Sequence, residues 1–311
     1  HVLGILTDLE RSIRDHNLDH INLLLQQLGI TGFINKEKPT PYDEAVSLIW
    51  YLENTFYPAA GRIIGFLKNN FDAVLNPNNP IIKMGFWPGG DRDGNPFVTS
   101  EITLKVAERL RTSILKCYYF DIRKLKRKLT FSGVDVILAE LENKLYRSVF
   151  YSQGEIFIGK EELMEQLKKI RQIIQDHHQS LYLDYVNELI QKINHFGFHF
   201  ASLDIRQNSK IHNQVFDKII NSGITSIYKN YWTLNENDKL KALSEIRGYV
   251  SSKDFDDEIT ISTLESIQAM KSIQQKNGES GCNRYIISNN ESALNVMETL
   301  SMFRLIGWEN P

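Results

Sequence analysis

Three short apolar segments interrupt a chain whose hydrophobic residues otherwise recur at helical spacing. They cover residues 81–87, 197–206 and 284–288, and each is followed by polar or glycine residues and then by a helical pattern. A short strand that leads into a helix is the repeating unit of a barrel or of a doubly wound sheet. In such folds the chemistry lies at the carboxyl ends of the strands. The sequence therefore predicts strands with functional residues immediately after them.

Helical periodicity accounts for most of the remaining chain, so the predicted fold class is mainly α. In the first segment Val2, Leu6, Leu9 and Ile13 recur at three- and four-residue steps, and a proline-containing stretch at 38–41 closes the unit. Further helices are predicted over approximately residues 43–56, 99–114, 134–150, 160–194, 210–221, 236–250, 259–276 and 291–306, with a loop at 76–80.

The composition indicates a folded protein without a strong field of one charge. Hydrophobic residues make up 42% of the 311 residues, which excludes a disordered chain, a disulfide miniprotein and a collagen-like fibre. The 36 Lys and Arg residues nearly balance the 38 Asp and Glu residues, so no basic surface predicts nucleic-acid binding. No apolar run is long enough to span a membrane, and two isolated cysteines suit a reducing compartment. We therefore expect a soluble, cytoplasmic protein that binds neither nucleic acid nor a membrane.

The first segment that could carry chemistry is the loop at 85–96, which is rich in glycine, proline and charge. It is not a calcium loop, because Pro96 stands at the sixth position from Asp91, where glycine is needed, and Ile102 at the twelfth. It is not a phosphate loop either, because no Gly-Lys-Ser/Thr follows. What remains is an arginine, Arg92, flanked by two carboxylates that can fix its planar guanidinium group. The alternative is a structural turn held by Asp–Arg bonds.

The second segment, 201–209, places an acid and a base on one side of a predicted strand. Leu203 and Ile205 face one side, whereas Asp204 and Arg206 face the other. Such a pair on an inner face is costly unless it is used or paired, and arginine is the preferred ligand for phosphate or carboxylate. The alternative is a buried salt bridge that joins the strand to a helix.

Other patterns are better explained by structure. Residues 284–292 predict a buried strand followed by a capped helix. His195 and His199 have the spacing of a zinc-protease motif, but Phe196 replaces its glutamate. The basic cluster at 124–128 has no interleaved aromatic residues and is typical of a solvated helix face.

Four ordered segments carry a resemblance to a known family. The run from Phe86 to Thr99 is similar to the glycine-rich signature of phosphoenolpyruvate carboxylase, and Leu203 to Ser209 is similar to a second signature. The segments at 39–45 and 285–288 resemble the family in order and spacing. Phe86 and Pro88 depart from it, because serine and methionine or isoleucine are usual there. The matches extend over nearly the whole chain.

The resemblance implies a mainly helical protein built round a (β/α)8 barrel, with about three of the eight strands and extensive helical elaboration in this chain. It implies a Mg²⁺- or Mn²⁺-dependent reaction of phosphoenolpyruvate with bicarbonate, through carboxyphosphate and an enolate, that yields oxaloacetate and phosphate. By position, Arg206 would bind the phosphate group, while Trp87, Asp91 and Arg92 would line the same mouth. Family members are commonly homotetramers under allosteric control.

Several family segments do not occur in this sequence. They are the Thr-Ala-His-Pro-Thr segment with the essential histidine, the Phe-Glu-Thr segment with a metal-binding glutamate, the Phe-His-Gly-Arg-Gly-Gly loop and the Ser-Asp-Ser-Ala-Lys segment. The chain also begins at His1 rather than at methionine, which we interpret as the mark of a cut. We therefore expect a single internal region, roughly the second third of a family member. It would have a helical part at 1–75 and barrel strands with their helices at 76–311.

This expectation predicts that the chain contains no catalytic residue and no metal ligand, and that alone it has no carboxylase activity. Two alternatives are a non-catalytic helical interaction module that retains the barrel signatures as structure, and a folded fragment whose loops still hold phosphate weakly. Only the second predicts that phosphoenolpyruvate stabilises the chain through Arg206.

Overall fold

The computed structural model describes residues 2–32, 38–71, 82–151, 157–226 and 229–309. The chain divides into two compact units, residues 1–40 and 41–311. The loop predicted at 76–80 and the first residue of the strand predicted at 81–87 lie outside the described residues.

The first unit contains a pair of helices, α1 (Val2–Arg14) and α2 (Leu18–Ile30). Asn17 sets the turn between them, because its side chain accepts a hydrogen bond from the His20 amide at 3.1 Å and caps α2. The Ser12 hydroxyl lies 2.7 Å from Nδ1 of His20 and ties the two helices together. The helical periodicity of this segment is therefore confirmed, with a break between the two helices.

The second unit is built mostly from helices. They are α3 (Pro41–Tyr51), a π-helical turn (Leu52–Phe56), α4 (Tyr57–Phe71), α5 (Ser100–Lys128), α6 (Asp135–Phe150), α7 (Lys160–His177), α8 (Leu183–Phe196), α9 (Ser209–Asn221), α10 (Glu236–Ser244), α11 (Glu258–Asn277) and α12 (Ala293–Leu305). The mainly α fold class is confirmed. Among the helices of the described ranges, none combines the length and the apolar character needed to cross a lipid bilayer.

Several helices differ from the prediction: α5 continues past residue 114 to Lys128, α4 was not predicted, and two predicted helices are divided or shortened. The pattern over 160–194 is divided into α7 and α8, because three residues within 179–182 adopt positive φ angles that an α-helix does not allow. The helix predicted over 236–250 ends early as α10. Its last predicted turn is lost because the amide of Arg247 bonds to the Ser226 hydroxyl at 2.9 Å instead of continuing the helix.

Three strands, β1 (Gly85–Phe86), β2 (Ser202–Asn208) and β3 (Arg284–Ser288), form a parallel sheet in the order β1-β2-β3. After each strand the chain enters a helix, which is α5, α9 or α12. The bounds of β3 agree with the prediction, whereas β1 is shorter than predicted. β2 starts later than predicted, because the chain first turns through positive φ angles at Gly197 and Phe200.

Helices cover one face of this sheet. Phe86, Leu203 and Ile205 point to that side and are buried in the main hydrophobic core. The long helix α5 is central to this core and packs against α3, α6, α8 and α11. The alternate residues of the middle strand, Asp204 and Arg206, lie on the other face and are partly exposed. The fold therefore presents charged side chains on the sheet face opposite the helical layer.

Candidate functional site

The loop after β1 pairs with the middle strand. The Arg92 amide donates to the Arg206 carbonyl at 2.9 Å, and the Arg206 amide donates to the Gly90 carbonyl at 3.0 Å. Asp91 and Arg206 therefore face each other as in a parallel ladder. Upstream, the amides of Gly90 and Asp91 both donate to the carbonyl of Trp87 and close a tight turn. The predicted tight loop is present, and it is fastened to the carboxyl end of β2.

Two glycines allow this close approach. Gly89 has a φ of +81°, and a Cβ there would lie 2.6 Å from Val106 of α5. A Cβ at Gly90 would lie only 2.1 Å from the backbone oxygen of Asp204. The Thr103 hydroxyl donates to the Gly89 carbonyl at 2.6 Å and secures the turn from the other side. The glycine pair thus lets the loop fit between α5 and β2.

Two carboxylates of the loop frame the guanidinium group of Arg206. Its Nε lies 3.9 Å from Oδ1 of Asp91, and its Nη2 lies 3.6 Å from Oδ2 of Asp93. A hydrogen bond from Ser288 lowers the pKa of Asp93 against the opposing effect of burial, and Asn208 Nδ2 also donates to this carboxylate at 3.3 Å. With 46% of its side chain exposed, Arg206 has both a defined position and access to solvent. These are the properties of an arginine that can bind an anion.

The arginine between these carboxylates, Arg92, points the other way. It is only 9% exposed, and its Nη2 donates to the hydroxyl of Ser262 in α11. Within the described part of the chain, its Nε and Nη1 are buried without a hydrogen-bond acceptor. Burial lowers the pKa of Arg92, while Tyr285 and Glu265 act in the opposite direction. The prediction that the flanking aspartates fix the guanidinium group of Arg92 is therefore wrong, because side chains alternate along this extended backbone and the aspartates reach Arg206. The Asp–Arg pairs of the alternative interpretation are present, but their arginine is Arg206.

Asp204 has a different partner from Arg206. Its Oδ1 accepts a hydrogen bond from Nε of Arg284 at 2.6 Å, and the two residues are paired in the register of β2 and β3. The salt bridge therefore joins two strands, not a strand and a helix. Gly85 lies beside it, since a Cβ there would be 3.1 Å from Arg284 Nη2. Sequence reasoning missed Arg284 because its partner is 80 residues away, and only the strand register brings the two together.

The four predicted site residues thus do not form one group. Asp91 and Arg206 come together at the carboxyl end of β2. Trp87 is 57% exposed and directly follows Phe86, the last residue of β1. Arg92 lies on the opposite side from Arg206, beneath α11.

Metal-binding clusters and reactive cysteine thiols are the other groups that could form a functional site. Across the described ranges, no three His, Cys, Asp or Glu side chains are grouped so that they could hold a metal ion. Burial lowers the pKa of His195, and it lowers that of His199 to about 4. Cys117 and Cys282 are free and buried, and burial raises the pKa of each thiol to about 12. Neither thiol is therefore activated as a nucleophile.

Three parallel strands that lead into helices, with an arginine presented at the carboxyl end of the middle strand, define a mainly α protein with a small parallel sheet whose edge is suited to an anion. Sequence comparison identifies the family to which this protein belongs. The model of the phosphoenolpyruvate carboxylase family matches residues 4–150 and 138–311. The chain belongs to the phosphoenolpyruvate carboxylase family, and the resemblance seen in its motifs is confirmed.

Individual relatives carry the same name. A phosphoenolpyruvate carboxylase of Aeromonas salmonicida is 28% identical to 69% of this chain, over 28% of its own length. Those of Nitrosomonas eutropha and Nitrosomonas europaea are 26% and 25% identical, and the matches cover 94% and 97% of this chain. These two matches cover 36% and 37% of the relatives' lengths. The chain therefore spans between about a quarter and two fifths of the curated relatives named here.

Proposed function

We propose that the complete protein containing this chain carboxylates phosphoenolpyruvate with bicarbonate, releasing oxaloacetate and phosphate. The family membership and the names of the relatives support this reaction. The observation that carries the proposal is the half-exposed Arg206 at the carboxyl end of the middle strand, framed by two carboxylates. Two free, buried cysteines support the reducing cytoplasm as the location.

Within this reaction, Arg206 binds the phosphate group of phosphoenolpyruvate. Asp91 and Asp93 orient its guanidinium group through charge, because their oxygens lie 3.9 and 3.6 Å from its nitrogens. Trp87 supplies an exposed apolar surface directly after β1. Arg92 belongs to the same loop, but it lies away from this group and has a separate role.

The three strands belong, in this proposal, to a (β/α)8 barrel. The parallel order, the helix after each strand and the charged inner face agree with such a barrel. Homotetramer formation and allosteric control are proposals that rest on the family alone. We do not propose the two loop aspartates as ligands of Mg²⁺ or Mn²⁺, because they already face Arg206. The metal of the complete enzyme would therefore need other residues.

The test uses the complete enzyme. Arg206→Ala should raise the KM for phosphoenolpyruvate and lower kcat/KM by about 10- to 100-fold, because a hydrogen bond to a charged group contributes about 1.5–3 kcal/mol. Arg171→Ala, at an exposed position of α7, is the matched control and should leave both constants unchanged. Wild-type kinetics in Arg206→Ala would refute the assignment of this residue.

The chain of 311 residues alone should form no oxaloacetate in a coupled dehydrogenase assay. Measurable formation that persists after purification would contradict the view that residues outside the chain complete the active site. A complete protein without carboxylase activity would instead favour the non-catalytic interaction module.

A further inference from the structure

A second polar site lies on the helical side of the sheet. It is an open groove of about 680 Å³ between the loop after β1 and the first turns of α9 and α11. Arg92, Lys210, Ser262 and Thr263 line this groove, whereas Trp87, Asp91 and Arg206 are not among its lining residues. The groove shares Asp93 with the site proposed for phosphoenolpyruvate, but Arg206 itself does not line it.

The groove contains a buried cation that lacks partners. Arg92 is 91% buried, and two of its three guanidinium nitrogens have no acceptor within the described residues. The hydroxyl of Thr263, which also lines the groove, is likewise buried without a partner there. Burying an arginine without its hydrogen bonds is costly, so these unpaired donors indicate a ligand that supplies oxygen atoms.

The remaining charges around the groove favour an anion. Lys210 is exposed at the first turn of α9. Of the nearby carboxylates, Asp93 is paired with Arg206, and Glu265 accepts a hydrogen bond from the Ser100 hydroxyl at 3.1 Å. Glu258, exposed at the start of α11, also lines the groove, so both Asp93 and Glu258 oppose an anion, Asp93 less because Arg206 lies 3.6 Å away.

The amino ends of two helices add to the positive potential. Both α9 and α11 begin at the groove, and the backbone amides at a helix start carry a partial positive charge. In α9 the Lys210 amide is capped by the Asn208 side chain, and in α11 the Thr260 amide is capped by Asp257. The amino ends of the two helices therefore favour a bound anion without selecting one kind of anion, and Arg92 provides the specific contact.

We propose that this groove binds the phosphate group of a small phosphomonoester, with Arg92 inside the groove and Lys210 at its rim. The four donors of the lining residues are two guanidinium nitrogens of Arg92, the hydroxyl of Thr263 and the ammonium group of Lys210. They suit the several oxygens of phosphate better than the two oxygens of a carboxylate. Pro96, Val98 and Ile211 form an apolar wall against which the carbon skeleton of the ester can pack.

The test uses the chain of 311 residues and inorganic phosphate as the probe. Thermal melting is followed at constant ionic strength, with chloride replaced by phosphate up to 20 mM. Phosphate should raise the Tm of both the wild type and Arg206→Gln, and the shift that remains in Arg206→Gln reports binding in the groove alone. Added to Arg206→Gln, Arg92→Met should abolish this remaining shift, and Lys210→Gln should weaken the apparent affinity about three- to tenfold, as expected for an exposed charge.

Lys210→Gln keeps the proposal testable if Arg92→Met fails to fold, because Lys210 is exposed. A shift that is absent in the wild type, or equal in the wild type and Lys210→Gln, would overturn the proposal. A shift that disappears in Arg206→Gln but persists in Lys210→Gln would also overturn it, while supporting the phosphate-binding role of Arg206. Malonate in place of phosphate is the carboxylate comparison, and an equal or stronger effect of malonate would refute the preference for phosphate.

Discussion

Replacing Gly90 by alanine should detach the glycine-rich loop from the middle strand. A Cβ at this position would lie 2.1 Å from the backbone oxygen of Asp204 and 3.0 Å from its carbonyl carbon. Both atoms belong to the backbone of β2, so no change of side-chain rotamer can relieve the overlap. The loop or the strand must move by about 1 Å before an ordinary van der Waals distance is restored.

A movement of this size acts on the two hydrogen bonds that join the loop to the strand. These bonds run from the Arg92 amide to the Arg206 carbonyl at 2.9 Å and from the Arg206 amide to the Gly90 carbonyl at 3.0 Å. Each contributes about 1 kcal/mol, and a buried polar group left unpaired costs about 1–3 kcal/mol. We therefore expect Gly90→Ala to lower the free energy of unfolding by about 2–4 kcal/mol.

Urea denaturation of the 311-residue chain, followed by circular dichroism, measures this loss. Gly65→Ala is the matched control, because Gly65 lies in α4 and, among the described residues, a Cβ there would meet no atom beyond its own helix backbone within 4 Å. Alanine is the better helix former, so the control should gain about 0.5–1 kcal/mol. If Gly90→Ala unfolds at the urea concentration of the wild type, close backbone approach does not hold the loop, and this reasoning is refuted.

Two further predictions concern the buried core. Burial raises the pKa of Glu298 to about 7 from its ordinary value of 4.5. Between these two pH values the folded protein retains a proton that the unfolded chain releases, so the free energy of unfolding should fall as the pH rises through this range. Glu298→Gln should flatten the pH dependence of stability and raise the free energy of unfolding at pH 8 by about 1–3 kcal/mol. If the variant kept the wild-type change of stability between pH 5 and pH 8, the neutral carboxyl group would be contradicted. Tyr118→Phe removes the hydrogen bond from the buried Tyr118 hydroxyl to the Gly197 carbonyl at 2.6 Å, and it should cost about 1–2 kcal/mol in urea denaturation. Tyr249→Phe, at an exposed position, is the control, and equal stability of the two variants would show that the Gly197 carbonyl finds another donor.

Local sequence patterns were sufficient to predict the strand–helix units and the sides of the middle strand. The alternation of apolar and charged residues places Leu203 and Ile205 in the core and Arg206 on the opposite face, as observed. The glycine pair predicts a tight loop after β1, and the structure shows such a loop. These features depend on residues close together in the chain, where side-chain direction and backbone freedom decide the outcome.

The partners of the charged residues could not be predicted in the same way. Asp204 lies two positions from Arg206, but on a strand its nearest neighbour is Arg284 of the adjacent strand. That pairing depends on strand register, which a single sequence does not reveal. The direction of the Arg92 side chain, by contrast, could be predicted, because side chains alternate along an extended loop and this alternation separates Arg92 from its flanking aspartates. The sequence contained this signal, although the prediction paired Arg92 with those aspartates.

Arg206 and Arg284 cannot be told apart from the sequence alone, but their distances to the nearest carboxylates distinguish them. Arg284 lies 2.6 Å from Asp204, so its Nε is already used in a direct bond between strands. Arg206 lies 3.6 Å or more from each of its carboxylates, beyond the range of a strong hydrogen bond. Its carboxylates therefore orient the guanidinium group without occupying its donors, which remain available to an incoming anion. The same criterion bears on the anion binding proposed for this near-neutral chain, because that binding depends on the number of arginine donors left unbonded at a fixed position, which the net charge does not report.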